Sequence, residues 1–225
     1  MTVVLLARHG ETHWTRVNRR QGHADPRLNR RGREQARALA RQLIGEQLDA
    51  IYSSDLRRAS ETAAIVAREM EIEVRLDPEL RETDFGDWTG LRRDEIERRF
   101  PEGVLRRKRG LKGWTGGESY EEMADRVVRA VSLIAAAHPE EEVLVVTHNG
   151  PIRAIHAHAL GVPYSEYRKT AKSIKKGSVS AISTENGVWT RIGAALGTLP
   201  PQAPPLGDYL AEWQPALRAL EALPL

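Results

Sequence analysis

The chain has 225 residues, 40% hydrophobic and 29% charged, the proportions of an ordinary globular protein with one substantial core rather than of a disordered or fibrous chain. No apolar run approaches the length that crosses a bilayer, and residues 1–7 lack the charged stretch and cleavage site of a secretion signal, so a cytoplasmic protein without membrane association is expected. The lack of cysteine excludes thiolate catalysis, disulfides and thiolate metal sites, and a net charge of +3 from 34 basic and 31 acidic residues names no partner.

Residues 3–7 form a short apolar run rich in β-branched side chains, which predicts a strand buried on both faces. Asn29 then reads as a helix cap ahead of Ala36, Leu39, Ala40, Leu43 and Ile44 at helical spacing. A second strand is expected over 49–53, followed by a helix capped by Asp55 with the stripe Leu56, Ala59, Ala63, Val66, Ala67 and Met70, and a third strand over 72–76. Residues 83–116 are rich in Gly, Trp, Arg and Lys and weakly periodic, so they predict an excursion with one short helix over 94–99, covering a pocket. Its tryptophans, Trp88 and Trp114, are expected to pack rather than to present a sugar platform. Ser119 and Glu122 have capping-box spacing before Met123, Val127, Val131 and Ile134. Residues 143–146 predict another buried strand, Pro151 opens a further helix, and 179–184 with 188–192 form a hairpin through Asn186 and Gly187. A proline-rich linker over 199–205 and an amphipathic helix over 209–223 close the chain. Alternating strands and helices imply a three-layer α/β/α sandwich with a mostly parallel central sheet.

The residues that follow the best strands are Arg8 and His9, Arg58 in the first turn of a helix, and His148. Ligands of open α/β sheets bind beyond the strand carboxyl ends, so these segments are expected to converge on one site, with Glu82 as the candidate carboxylate. Paired arginine forks suit phosphoryl oxygens, and histidine serves as nucleophile or acid near neutral pH. No P-loop lysine and no carboxylate cluster suggesting magnesium is visible, which leaves metal-free phosphoryl transfer and no cofactor.

The block Arg8-His9-Gly10-Glu11-Thr12 resembles the signature of the histidine phosphatase superfamily. So, in order, do Gln21-Gly22 with Asp25 and Leu28, the stretch from Ser54 to Ala59 with Thr62, Leu80-Arg81-Glu82 with Phe85-Gly86-Asp87-Trp88, Gly116 to Ser119, and Val146-Thr147-His148. The resemblance implies a phosphoglycerate mutase-like domain over 1–197, with 83–116 as a variable pocket cover and 198–225 as linker and tail. It implies His9 as nucleophile, Arg8, Arg58 and His148 as ligands of the phosphoryl oxygens, and Glu82 as proton donor and then base. Two positions depart from the family pattern: Thr15 stands where an asparagine contacting phosphate is frequent, and Asn149 where glycine is frequent. Thr15, Gln21, Gly22 and Asn149 are the candidate substrate-binding residues, with a plain turn as the alternative for Gln21 and Gly22.

Phe85-Gly86-Asp87-Trp88 after Glu82 resembles the phosphatase branch, so hydrolysis of a small phosphomonoester, a sugar phosphate or phosphoglycerate-type metabolite, is the expected activity. A phosphoglycerate mutase-type phosphotransferase and a non-catalytic phospho-ligand binder are the alternatives. The expected partner is the phosphorylated substrate, not nucleic acid, with a homodimer kept open. The basic run Arg106, Arg107, Lys108, Arg109 and Lys112 is expected to select a substrate with further negative charge, a solvated loop being the alternative. His156 and His158 fall on different helix faces and make no metal pair; His13 and His23 lie near the motif loops.

Overall fold

Val4 and Leu6 face one side of the first strand and Leu5 and Ala7 the other, and all four are completely buried, which makes that strand an interior one with a helical layer on each face. The computed structural model describes residues 1–196, with side-chain surroundings as far as residue 191; the expected linker at 199–205 and helix at 209–223 lie outside the described residues. In chain order the elements are β1 (Thr2–Arg8), α1 (His13–Arg16), α2 (Arg30–Leu43), β2 (Leu48–Ser53), α3 (Arg57–Met70), β3 (Val74–Leu76), α4 (Arg93–Arg99) and α5 (Pro101–Lys108). Then come α6 (Tyr120–Ala136), β4 (Glu142–Thr147), α7 (Asn149–Ala159), α8 (Tyr164–Thr170), β5 (Val179–Glu185) and β6 (Val188–Leu196).

The strands form one sheet in the order β3-β2-β4-β1-β5-β6. β1, β2, β3 and β4 run parallel, while β5 lies antiparallel to β1 and β6 closes the hairpin, so the mostly parallel sandwich holds with an antiparallel edge. Leu39, Leu43, Ala63 and Val66 of α2 and α3 pack on Leu5, Ile51 and Leu144 on one face. Met123 and Val127 of α6 and Ile152 and Ile155 of α7 pack on Val4, Leu6, Val143 and Val145 on the other. Among the described residues no helix is long and apolar enough to cross a membrane.

Asn29 caps α2 by accepting the Gly32 N–H at 2.8 Å, and Ser119 and Glu122 close the expected capping box of α6. Asp55 does not cap α3. Leu56 holds the cap position without a side-chain bond, Asp55 accepts Arg81 Nε at 2.7 Å, and the Arg57 N–H goes to the Asp25 carboxylate at 2.6 Å. An arginine fork is the stronger partner for a carboxylate than a lone amide, and the Asp25 carboxylate accepts the Arg57 amide from outside the helix. Ile44 leaves the apolar stripe: it follows the last turn of α2 and is 54% exposed.

The excursion over 83–116 holds two helices, α4 and α5, not one, broken where Pro101 opens the second. Its weak periodicity has a packing cause. Trp88 and Trp114, 1% and 4% exposed, sit 5.5 Å apart in a cluster with Phe85 and Tyr120, so four aromatics do what a longer aliphatic stripe does elsewhere. Gly103 and Gly113 pass backbone against backbone over the Trp88 ring.

Candidate active site

The carboxyl ends of β1, β2 and β4 lie side by side, and the ladder runs one residue beyond each pair: His9 N–H donates to Thr147 O and Ser54 N–H to Val146 O, both at 3.0 Å. His9, Ser54 and His148 are therefore placed by sheet register rather than by loop conformation. His9 and His148 are 1% and 0% exposed, with ring centroids 5.1 Å apart.

The two imidazoles are held in opposite tautomers. His9 Nδ1 lies 2.7 Å from Gly10 O, and a carbonyl only accepts, so Nδ1 carries the proton and Nε2 keeps a lone pair. His148 Nδ1 accepts Arg58 Nε at 3.2 Å, so its Nε2 carries the proton and donates to the Ser54 hydroxyl oxygen at 2.9 Å. Burial first, then the Arg58 and Arg8 charges, hold the His9 imidazole neutral, well below the ordinary histidine range. His148 is held down by burial, then by Arg58 and by His9.

Arg58 is completely buried and is held by backbone carbonyls, Nη1 donating to Ala24 O at 2.7 Å and Nη2 to Gly22 O at 2.8 Å, which leaves one further N–H on each of these nitrogens. Burial lowers it to about 10, and the Glu82 charge opposes that shift. Arg8 Nη1 donates to the Ser173 hydroxyl at 3.2 Å and to Ile174 O, and here too burial lowers the group while Glu82 supports its charge. Glu82 thus serves as counter-charge to both guanidiniums. Its carboxylate accepts Thr83 N–H at 3.0 Å and Gly150 N–H at 3.4 Å, and a Cβ on Gly150 would stand 2.3 Å from Oε1, so glycine is required for that approach. His23 Nε2 donates to the Glu82 carbonyl at 2.9 Å, while His13 points into solvent.

Above this floor opens a cleft of about 870 Å³, lined by Arg8, Thr15, Gln21, Gly22, Glu82 and Asn149 among others; His9, Arg58 and His148 lie buried behind its wall. Thr15 closes a capping box with Thr12, whose hydroxyl donates to Gln21 Oε1 at 2.5 Å and leaves the Gln21 amide nitrogen free of that bond. Gly22 is more than a turn, since its carbonyl anchors Arg58. Asn149 Oδ1 accepts both the Ser173 hydroxyl and the Ile174 N–H at 2.9 Å, which ties the start of α7 to the segment 173–174 that Arg8 also holds.

The cations on the cleft wall are Arg8, Arg19, Arg20, Arg31, Arg93, Arg153, Lys175 and Lys176, against Glu11 and Glu82 among the described residues. The basic run at 106–112 is not among them, contrary to expectation. Arg106 and Lys112 border a separate hollow beside Phe100, where Arg106 Nε bonds Lys112 O and Lys112 Nζ bonds Gly117 O, so the run closes its own turn.

Three contributors escaped the sequence reading. Ser54 and Thr62 stood in the motif blocks without a role; Thr62 accepts Gly10 N–H at 3.1 Å and donates to Arg58 O at 2.7 Å. Lys176 pairs with Glu11 at 3.3 Å, and Glu11 in turn accepts Asn29 Nδ2 at 2.9 Å, a bond that holds its carboxyl below the usual range. Beside them Gly10 and Gly32 meet backbone to backbone: a Cβ on Gly10 would lie 2.3 Å from Gly32 O, and one on Gly32 2.1 Å from Glu11 O.

Two neutral histidines at the carboxyl ends of a parallel sheet, accompanied by two guanidiniums and a carboxylate at the cleft, define a phosphoryl-transfer class of site. The chain belongs to the histidine phosphatase superfamily, branch 1, whose family pattern matches residues 4–193. It is 36% identical to phosphoserine phosphatase 1 of Hydrogenobacter thermophilus over 74% of this chain and 80% of that protein. It is 40% identical to the metal-independent phosphoserine phosphatase of Arabidopsis thaliana over 69% of this chain and 68% of that protein. The solved mycobacterial glucosyl-3-phosphoglycerate phosphatase with VO3 superimposes with a TM-score of 0.77 at 32% identity, covering 84% of this chain and 96% of that one.

Proposed function

We propose that the protein hydrolyses a small phosphomonoester without a metal, through a phosphohistidine on His9. Phosphomonoester hydrolysis is the reaction class of its phosphatase-named relatives within the superfamily. The observation that carries the proposal is the His9 tautomer: Nδ1–H is committed to Gly10 O, which leaves a neutral Nε2 lone pair beside Arg8 and Arg58. That lone pair attacks phosphorus as the ester P–O bond breaks, and Glu82 protonates the departing alkoxide. Water then attacks the phosphohistidine, Glu82 takes its proton, and inorganic phosphate leaves His9. Arg8, Arg58 and His148 stabilise the charge gathering on the phosphoryl oxygens, a role that elsewhere falls to a metal ion. Thr15, Gln21, Gly22 and Asn149 shape the pocket around the ester.

The test is turnover of para-nitrophenyl phosphate and of a panel of phosphorylated metabolites in a chelator. Undiminished activity is expected; activity that appears only with a divalent ion overturns the metal-free reading, and none on any substrate favours the binding protein.

The cationic wall supports a substrate with a second anionic group, which fits the relatives named for phosphoserine and glucosyl-3-phosphoglycerate. Arg20 stands 4.9 Å over the Phe85 ring and Arg31 lies in the first turn of α2, both on that wall. Replacing Arg20 and Arg31 together by Gln should raise KM for a carboxylated phosphomonoester by roughly ten- to a hundredfold, the worth of a charged hydrogen bond, and leave para-nitrophenyl phosphate within about twofold. Equal losses on both substrates assign the pair a structural role.

A further inference from the structure

Ser173, Ile174 and Lys175 border two cavities. One is the cleft already described; the other is a separate hollow of about 370 Å³ whose wall also includes His156, Lys172, Ser178 and Arg191. Lys172, Lys175 and Arg191 give it cationic charge, and no carboxylate lines it among the described residues. Two of its polar groups lack hydrogen-bond partners among the described residues. His156 is completely buried, its Nε2 lies 2.9 Å from the Ser180 hydroxyl, and its Nδ1 has no hydrogen-bond partner; the Arg191 Nε is likewise buried and unpaired.

A buried donor left unpaired is costly, and two on one cavity wall with cations around them call for a common acceptor. We propose that this hollow is a second anion site, taking a tetrahedral oxyanion of the size and charge of phosphate on His156 Nδ1–H, Arg191, Lys172 and Lys175. The Ser180 hydroxyl donates to His156 Nε2, which leaves the proton on Nδ1 for the anion. Burial, and then Arg191, push His156 down to about 4, so it meets the anion as a neutral donor. The site has a physical link to the cleft, because its wall residues Ser173 and Ile174 are the ones that Arg8 and Asn149 hold from the other cavity.

The experiment is a titration of the full-length ¹⁵N-labelled protein with inorganic phosphate, following the ring nitrogens of His156, assigned by their loss in His156→Asn, and of His148, which reports the cleft. The His156 signals should move along a saturable curve in the millimolar range or below. In Lys172→Gln/Arg191→Gln that curve should shift at least tenfold to higher phosphate, and in Lys172→Gln alone, a change at an exposed side chain, severalfold. The His148 curve should be the same in all three proteins, which also shows that the variants are folded. His156 signals that stay still while His148 saturates overturn the proposal, as does a His156 curve that coincides with that of His148 in every protein. Sulfate should compete at His156 if shape and charge are what the site reads; its failure to do so overturns the tetrahedral-oxyanion assignment.

Discussion

His9→Ala should lower kcat on every phosphomonoester by on the order of 10⁴ to 10⁶, the scale on which an enzyme that loses its covalent nucleophile falls back to its remaining electrostatics. His9 and His148 are both neutral and buried, but His148 spends its Nδ1 lone pair on Arg58 and its Nε2 proton on Ser54, whereas His9 has one nitrogen uncommitted. A brief reaction with labelled substrate, quenched in alkali, should therefore leave acid-labile, alkali-stable label on His9 alone. Label on His148 would reverse the assignment, and near-normal turnover of His9→Ala would remove the covalent mechanism altogether.

Glu82→Gln should split substrates by leaving group. A sugar or serine alkoxide leaves poorly unless protonated, so phosphorylation of His9 by such an ester should slow by about a hundredfold to ten-thousandfold, the usual range for general acid catalysis. An aryl phosphate leaves as a stable phenolate and should lose much less in the same step. Rapid-quench measurement of phosphohistidine formation isolates that step from hydrolysis, in which Glu82 acts as base. Glutamine keeps one oxygen for the Thr83 amide at 3.0 Å and gives up the longer 3.4 Å bond that the Gly150 amide makes to the other oxygen, so the variant removes the transferable proton at the cost of one long hydrogen bond. Equal slowing of both esters would mean that Glu82 matters chiefly as the counter-charge to Arg8 and Arg58.

The parallel half of the fold was legible because β1 and β4 each announce themselves twice, in an unbroken apolar run and in a polar residue directly after it. That is why Arg8, His9 and His148 were placed from the sequence and why the structure brings them together. Asp55 was misread because capping potential is a local property while the competing Arg81 lies in another segment. The second helix of the excursion was hidden because aromatic stacking among Trp88, Trp114 and Phe85 replaces aliphatic periodicity. Charge misled in the same way. The dense run at 106–112 drew attention as a string, yet the cleft takes its cations from Arg19, Arg20, Arg31, Arg93 and Lys176, scattered along the chain and gathered only by folding. Ser54 accepts the His148 Nε2–H and Thr62 bridges Gly10 N–H and Arg58 O, and nothing in the sequence around a serine or threonine distinguishes such bonds from those of a solvated hydroxyl.

The contact between Gly10 and Gly32 bears on how this chain can vary. Neither residue has a positive φ, so a turn requires neither; proximity requires both. A single methyl at position 32 would have to push the Glu11 carbonyl away, and with it the peptide that accepts the His9 proton. Excluded volume on a helix that supplies no reacting group therefore constrains position 32 as tightly as chemistry constrains position 9. Mutational drift in α2 is free on its solvent face but closed at this one point, and an inherited Gly32→Ala should surface as an enzyme defect although its site touches no substrate.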